Sequence, residues 1–300
     1  MYYEEDMTQR QIAERMGCSR MAVSRSLHRA REAGVVRIEI NYEGIFPDLE
    51  NEMREKFGLV DAAIVPYETG TTLKARLAQM AANVLLRRLR PGDVVGVGWG
   101  STLALIPDFL AGAPAMDVVF VPLLGGYGQI SIHMHANQIA SRLGELFRCK
   151  SYILNAPALV RDIALKDSLM EDPAIKSALD VARGADIALV GVGSPFAAES
   201  TLTESGYYSA DDLDGLRASK AECNLLSAIY IDKGGNECSL DMADRNIGVT
   251  SGEYKRIPLK IAAAGGQGKL FAVRSVINHG LVDIMVTDER TAEFCLGTRS

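Results

Sequence analysis

Lys269 stands where a cation is least favoured, in the first turn of a helix that Gly265-Gly266-Gln267-Gly268 is expected to open. The positive end of the helix dipole disfavours an ammonium there, and an anionic ligand would offset the repulsion. The plainer alternative is an exposed lysine tolerated at a cost of about 0.3 kcal/mol. Glycines also close three other apparent strands, at 98–100, 125–126 and 191–193. Glycine lets backbone N–H groups approach an anion, and a following helix adds its dipole. No loop completes G-x-x-x-x-G-K-[ST] or G-x-G-x-x-G, which argues against a nucleoside triphosphatase or a dinucleotide fold. Taken together the four loops favour an anionic, phosphorylated small ligand.

Other residues carry two readings each. Trp99, the only tryptophan, lies between Gly98 and Gly100, where a core role is awkward. Thr287-Asp288-Glu289 opens the last helix, so Asp288 is either an N-cap or an acceptor for ligand hydroxyls. Asp241 and Arg245 lie in a polar run, as a structural ion pair or as ligand contacts. His133 and His135 have no third metal ligand near them in sequence, and no metal or cofactor is expected.

The elements that would hold these residues alternate. Apolar strands are expected at 61–65, 93–97, 118–124, 152–154, 187–190, 259–263 and 282–286. Helices separate them at 71–89, up to Leu110, at 136–147, 162–170 and 173–182, up to His279, and at 288–296. Segments 226–231 and 247–250 read as extended, around the turn Lys233-Gly234-Gly235-Asn236. Strands that are apolar throughout and separated by helices mean a Rossmann-like, mainly parallel sheet covered on both faces. Ligands bind beyond the carboxyl ends of such strands, where the glycine loops fall.

A different unit precedes this α/β body. Ile12, Ala13 and Met16 fall at helical spacing, Gly17 can take φ > 0, and Ser19 can N-cap a second helix. That helix turns Val23, Leu27 and Ala30 inward. Two short helices with a tight turn, the second basic, make a helix-turn-helix. Arg20, Ser24, Arg25 and His28 are candidates to read bases, while Thr8, Gln9, Arg29 and Arg37 are candidates to hold phosphates. Val36 to Ile40 alternates as a strand would, giving a winged-helix-like unit. There is little room before Thr8 for a third covering helix, so either the chain starts late or something else completes the head; a head without that helix is expected to bind its operator weakly. The domains are then 1–40 for the head, 41–58 for a linker and a bridging helix (Leu49, Met53, Phe57), and 59–300 for the effector domain.

Charge agrees with that division. The 300 residues carry a net −6, but 10–37 hold seven arginines against Glu14 and Glu32, a net +5 that leaves −11 elsewhere. Such a chain is drawn to DNA by its head alone. Five scattered cysteines without a C-x-x-C fit a reduced cytoplasm, and no apolar run approaches a membrane span.

The chain resembles the SorC family of sugar-responsive bacterial transcriptional regulators. YYEE and AREAGVV at the front carry the likeness, followed in order by VGVGWGST, PLLGG, LNAPALV, ALVGVG, DRNIG, AAGGQGK and MVTDERTA. The resemblance implies an effector domain related to sugar-phosphate isomerases and deaminases, a phosphorylated sugar or a polyol as effector, operator DNA as partner, and a dimer or tetramer. It also implies effector contacts from Gly98, Trp99, Gly100, Ser101, Thr102, Gly125, Gly126, Asn137, Gln138 and Asn155. Asp241, Arg245, Lys269 and Asp288 would close the pocket, with Lys269 on the phosphate. The competing expectation is a sugar-phosphate isomerase or deaminase with a basic appendage, using Asp288, Glu289 or Asp241 as base.

Overall fold

The computed structural model describes residues 1–3, 5, 7–32, 44–128, 131–196 and 208–298. The chain divides into two compact units, Met1–Asn41 and Tyr42–Ser300. In the first, helix α1 (Gln9–Met16) begins in a capping box: Thr8 Oγ1 accepts from Gln11 N–H, and Gln11 Oε1 accepts from Thr8 N–H at 2.9 Å. Gly17, at φ +62°, turns the chain, and Cys18 N–H closes back on Ala13 O at 3.0 Å. Ser19 Oγ then accepts from Ala22 N–H at 3.2 Å, at the start of α2 (Arg20–Glu32). Ile12, Ala13 and Val23 form the core between the helices, with Met7 and Leu27 packed against it. Met16, expected inward, is 61% exposed. The strand expected at 36–40 lies outside the described residues.

The second unit is built on seven parallel strands. They are β1 (Asp61–Val65), β2 (Val94–Val97), β3 (Val119–Pro122), β4 (Lys150–Ser151), β5 (Ile187–Gly191), β8 (Leu259–Ala263) and β9 (Ile284–Asp288), in the order β1-β9-β8-β5-β2-β3-β4. A small antiparallel hairpin, β6 (Ala221–Leu225) and β7 (Ile229–Asp232), stands apart from that sheet. The chain moves from β2 outward to β3 and β4, then returns to β5 beside β2 and proceeds the other way to β8 and β9. The reversal opens a crevice beyond the carboxyl ends of β2 and β5.

Alternate residues of each strand feed two cores. Ala62, Ile64, Val121, Ala188, Val190, Ala262 and Met285 face one side, with α3 (Pro47–Phe57), α7 (Pro173–Arg183), α11 (Leu270–Asn278) and α12 (Glu289–Leu296). Ala63, Val65, Val95, Phe120, Leu189, Ile261 and Val286 face the other, with α4 (Gly70–Arg88), the 3₁₀ helix Leu103–Phe109 and α5 (Ala136–Phe147). Burial on both faces explains the apolar runs. The remaining helices are α6 (Ile163–Met170), α8 (Ala210–Ser219), α9 (Asp241–Asp244) and α10 (Ser251–Arg256).

Three expectations shift. The segment read as strand 152–154 pairs two residues earlier, at Lys150–Ser151, with β3. The turn expected at Lys233–Asn236 is present after β7, where Gly235 N–H donates to Asp232 O at 3.1 Å, but Leu226-Ser227, read as extended, is a turn too: it joins β6 to β7 with both residues left-handed (φ 55° and 54°). That geometry normally selects Asn-Gly, so no sequence signal marked it, and it stores about 1–3 kcal/mol per residue. Helix α3, read as a bridge, is part of the body: Met53 is fully buried, and Glu50 Oε1 accepts the outward N–H of Ile64 on edge strand β1 at 2.9 Å. Burial pushes the Glu50 carboxyl up from its ordinary value.

Candidate functional site

A cavity of about 360 Å³ lies over the carboxyl ends of β1, β2, β5 and β8, at the crevice where the strand order reverses. Its volume suits one small ligand. The loop after β2 contributes Trp99, Gly100, Ser101 and Thr102, and the loop after β5 contributes Gly191, Val192 and Gly193. Gly265 to Lys269 follow β8, and Tyr67 to Gly70 with Leu73 and Lys74 follow β1. Asn224 and Leu226 of the hairpin complete the wall.

Each wall has a mechanical cause. Asp288 caps α12 through Thr291 N–H (3.1 Å) and also accepts from Thr291 Oγ1 (2.6 Å) and Gly266 N–H (2.7 Å). A Cβ on Gly265 would overlap that carboxylate, so the β8 loop must be glycine there. Lys269 Nζ donates to Val192 O at 2.8 Å, bringing the ammonium to the β5 loop. Trp99 packs on Tyr127, ring centroids 4.7 Å apart, and Tyr127 leads through hydroxyl contacts at 3.4 and 3.5 Å to Tyr208 and Tyr230. Burial raises the last two phenols well above their ordinary range, so both remain neutral donors. Tyr67 is held from behind by Arg290, whose guanidinium lies 3.9 Å from the ring centroid.

Of the residues expected to meet an effector, Trp99, Gly100, Ser101, Thr102 and Lys269 line this cavity. Gly98 sits one residue behind it, where a Cβ would press on Leu226 at 3.2 Å. The others have different surroundings. Gly125 N–H donates to Ile247 O and Gly126 N–H to Ala156 O, both at 2.9 Å, so that loop is knitted to two neighbouring segments. Asn137 holds the backbone of Leu154 with both amide atoms, at 3.0 and 2.9 Å. Gln138 follows on α5, and Asn155 is exposed.

Asp241 and Arg245 line a separate open depression. There Arg245 pairs with Asp212 and Asp241 (2.8 Å to the latter) and donates to Val160 O at 2.9 Å. Asp288 is fully buried with its oxygens engaged, so its part is to hold the β8 loop. None of the three acids proposed as a base lines the cavity.

Sequence reasoning missed the β1 wall and the hairpin. Lys74 carried the same signal as Lys269, a lysine near the start of a helix after a buried strand. Asn224 carried none, since its place depends on a hairpin whose turn has no turn residues. It is 5% exposed, and its carboxamide lies against Gly193, where any Cβ would overlap it.

On α2 the residues Arg20, Ser24, Arg25, His28 and Arg29 are all exposed, while Val23 and Leu27 belong to the small core with α1. Thr8 and Gln9 stand at the start of α1, with the Thr8 hydroxyl engaged in the capping box. Arg37 lies outside the described residues.

A basic reading helix attached to an α/β body with a ligand cavity defines a DNA-binding transcriptional regulator with an effector domain. Residues 45–297 match the family described as "Putative sugar-binding domain", and residues 1–33 match "Sigma-70, region 4". The sorbitol operon regulator of Klebsiella pneumoniae is 29% identical over 99% of this chain and 95% of its own. The transcriptional regulator LsrR of Enterobacter sp. (strain 638) is 30% identical over 98% of this chain and 90% of its own. The crystal structure of the full-length Klebsiella pneumoniae regulator superposes with a TM-score of 0.82 at 28% identity, covering 98% of this chain and 95% of that one. The chain belongs to the SorC/DeoR family of sugar-binding transcriptional regulators. Its relatives are regulators, not enzymes. Among the described residues no group of His, Cys, Asp or Glu could hold a metal, and no helix is long and apolar enough to cross a membrane.

Proposed function

We propose that the protein regulates a sugar or polyol catabolic operon in the bacterial cytoplasm, as a repressor released or engaged by a phosphorylated carbohydrate. The observation that carries this is the position of Lys269 at the start of α11, inside a cavity rimmed by glycine loops at the reversal of the strand order. Backbone N–H groups, a helix start and an ammonium there suit a phosphate. Trp99 and Leu226 supply an apolar wall for the carbon skeleton, and Ser101, Thr102 and Asn224 offer hydrogen bonds to hydroxyls. Regulators named for sorbitol and for deoxyribonucleosides are similar over nearly the whole chain, which supports a carbohydrate effector.

In this reading Arg20, Ser24, Arg25 and His28 contact bases, and Thr8, Gln9, Arg29 and Arg37 contact phosphates. The protein acts as a dimer or tetramer on a palindromic operator, and effector binding biases the arrangement of its paired heads. The test is a gel-shift titration on DNA selected in vitro with the full chain, against a panel of sugar phosphates, sugars and polyols. Binding should fall steeply with salt and respond to at least one phosphorylated member. No response to any member of the panel would count against the assignment. Because Trp99 is the only tryptophan, its emission reports cavity occupancy directly.

A further inference from the structure

The hairpin β6–β7 is fitted into the cavity wall at two glycines. Asn224 and Gly193 exchange both backbone hydrogen bonds, each at 2.9 Å, which ties the hairpin to the loop after β5. A Cβ on Gly193 would overlap the Asn224 carboxamide, and one on Gly98 would press on Leu226 Cδ2 at 3.2 Å. Two of the four glycine loops are therefore small where the hairpin comes against them.

The tip of that hairpin carries residues that its shape does not favour. Ala228 N–H donates to Leu225 O at 3.2 Å around Leu226 and Ser227, both left-handed, in a turn that two-residue hairpins usually fill with Asn-Gly. Connecting turns ordinarily lie on the surface, yet Leu226 is 4% exposed and Ser227 2%. A side chain with a Cβ is strained at φ +55°, and such strain persists only where the surroundings over-determine it, often beside a ligand. The surroundings here are the cavity wall itself. Leu226 belongs to one core cluster with Val192 and Ala264, Trp99 packs against that cluster, and all four line the cavity. Asparagine or glycine would relieve the turn; what leucine adds is a branched apolar side chain at the end of β2.

We propose that Leu226 is a specificity-determining residue, whose side chain sets the size of the carbon skeleton that the cavity admits. The proposal rests on the reading of the cavity as the effector site and adds the residue that selects among effectors of one chemistry.

The probes are open-chain polyol monophosphates of three to seven carbons, titrated into the full chain and followed by Trp99 emission and by the thermal midpoint. The unsubstituted protein is compared with Leu226→Gly and Leu226→Ala, each checked for folding by circular dichroism. Glycine accepts φ +55°, so Leu226→Gly removes both the side chain and the strain, while Leu226→Ala removes most of the side chain and keeps the strain. The ranking of the members by dissociation constant is the readout, because a merely structural role for Leu226 would weaken all of them alike. Both variants are expected to move the preference to a longer member. One methylene in an apolar pocket changes relative affinity about tenfold, and a shift of that size is expected for each added carbon. An unchanged ranking in both variants overturns the proposal and leaves the effector reading standing. A folded Leu226→Ala that keeps the original ranking also overturns it, since the turn and not the side chain would then select. If Leu226→Ala does not fold, the Leu226→Gly ranking decides. No binding of any member by the unsubstituted protein overturns both the proposal and the reading beneath it.

Discussion

The loop after β3 and the loop after β8 look alike in sequence, a buried parallel strand followed by paired glycines, yet the fold uses them differently. Gly125 is glycine because Ala156 O and Pro157 O come within 2.5 Å of where its Cβ would be. Gly265 is glycine because the Asp288 carboxylate occupies that space. In the first case the close neighbour is another backbone segment, and the loop is sealed. In the second it is a carboxylate that pulls Gly266 N–H toward itself and leaves the rest of the loop facing a cavity. Paired glycines report that something comes close; they do not report whether it is backbone, side chain or ligand.

The largest effect expected from breaking this contrast is that of Asp288→Ala. It removes the α12 cap, takes the acceptor from Thr291 and leaves Gly266 N–H only the longer contact to Thr291 Oγ1 (3.2 Å), for a loss of about 3 kcal/mol in denaturant unfolding. An unchanged midpoint would show that Asp288 does not hold the β8 loop. Next come Gly125→Ala and Gly265→Ala, each expected to cost about 2 kcal/mol through overpacking. Their consequences should part in a Trp99 fluorescence titration with whichever phosphorylated effector the gel-shift panel yields. Gly265→Ala weakens binding, while Gly125→Ala lowers the unfolding midpoint and leaves affinity alone. Equal loss of affinity in both would erase the distinction.

Smaller effects test the separation of head from body and the aromatic wall. Arg25→Ala should weaken operator binding by about 1.5 kcal/mol with the effector response retained, as expected of a side chain on the exposed face of α2. An unchanged affinity across salt concentrations would remove Arg25 from the interface. Arg290→Met should cost only about 0.5 kcal/mol of effector affinity, through a less firmly held Tyr67. A calorimetric titration with the effector found in the panel would detect it, and a tenfold loss would mean that Arg290 touches the ligand itself.

Much of this could be read in advance, and the reasons differ by residue. The reading head was legible because each signal is local: Thr8 caps its own helix, Gly17 turns its own chain, and the arginines of α2 are exposed where Val23 and Leu27 are not. Lys269 was legible for the same reason, as a cation misplaced on its own helix. Asn137, expected at the effector only through the resemblance, is spent on the backbone of Leu154. For Arg245 the ion pair with Asp241 that the sequence offered is present, while its other partners, Asp212 and Val160, are distant in sequence.

The sequence by itself determined the two units, the parallel sheet buried on both faces, the basic face of α2 and the glycine-lysine loop after β8. Period, capping and charge are properties of neighbouring residues, so they survive without a fold. Only the tertiary structure decided which glycine loops surround a cavity, that Lys74 and Asn224 join them, and that Asp288 is a buried brace. Those outcomes depend on strand order. β5 returns beside β2 and β8 follows it, and no local pattern records which strands become neighbours across an intervening chain of more than fifty residues.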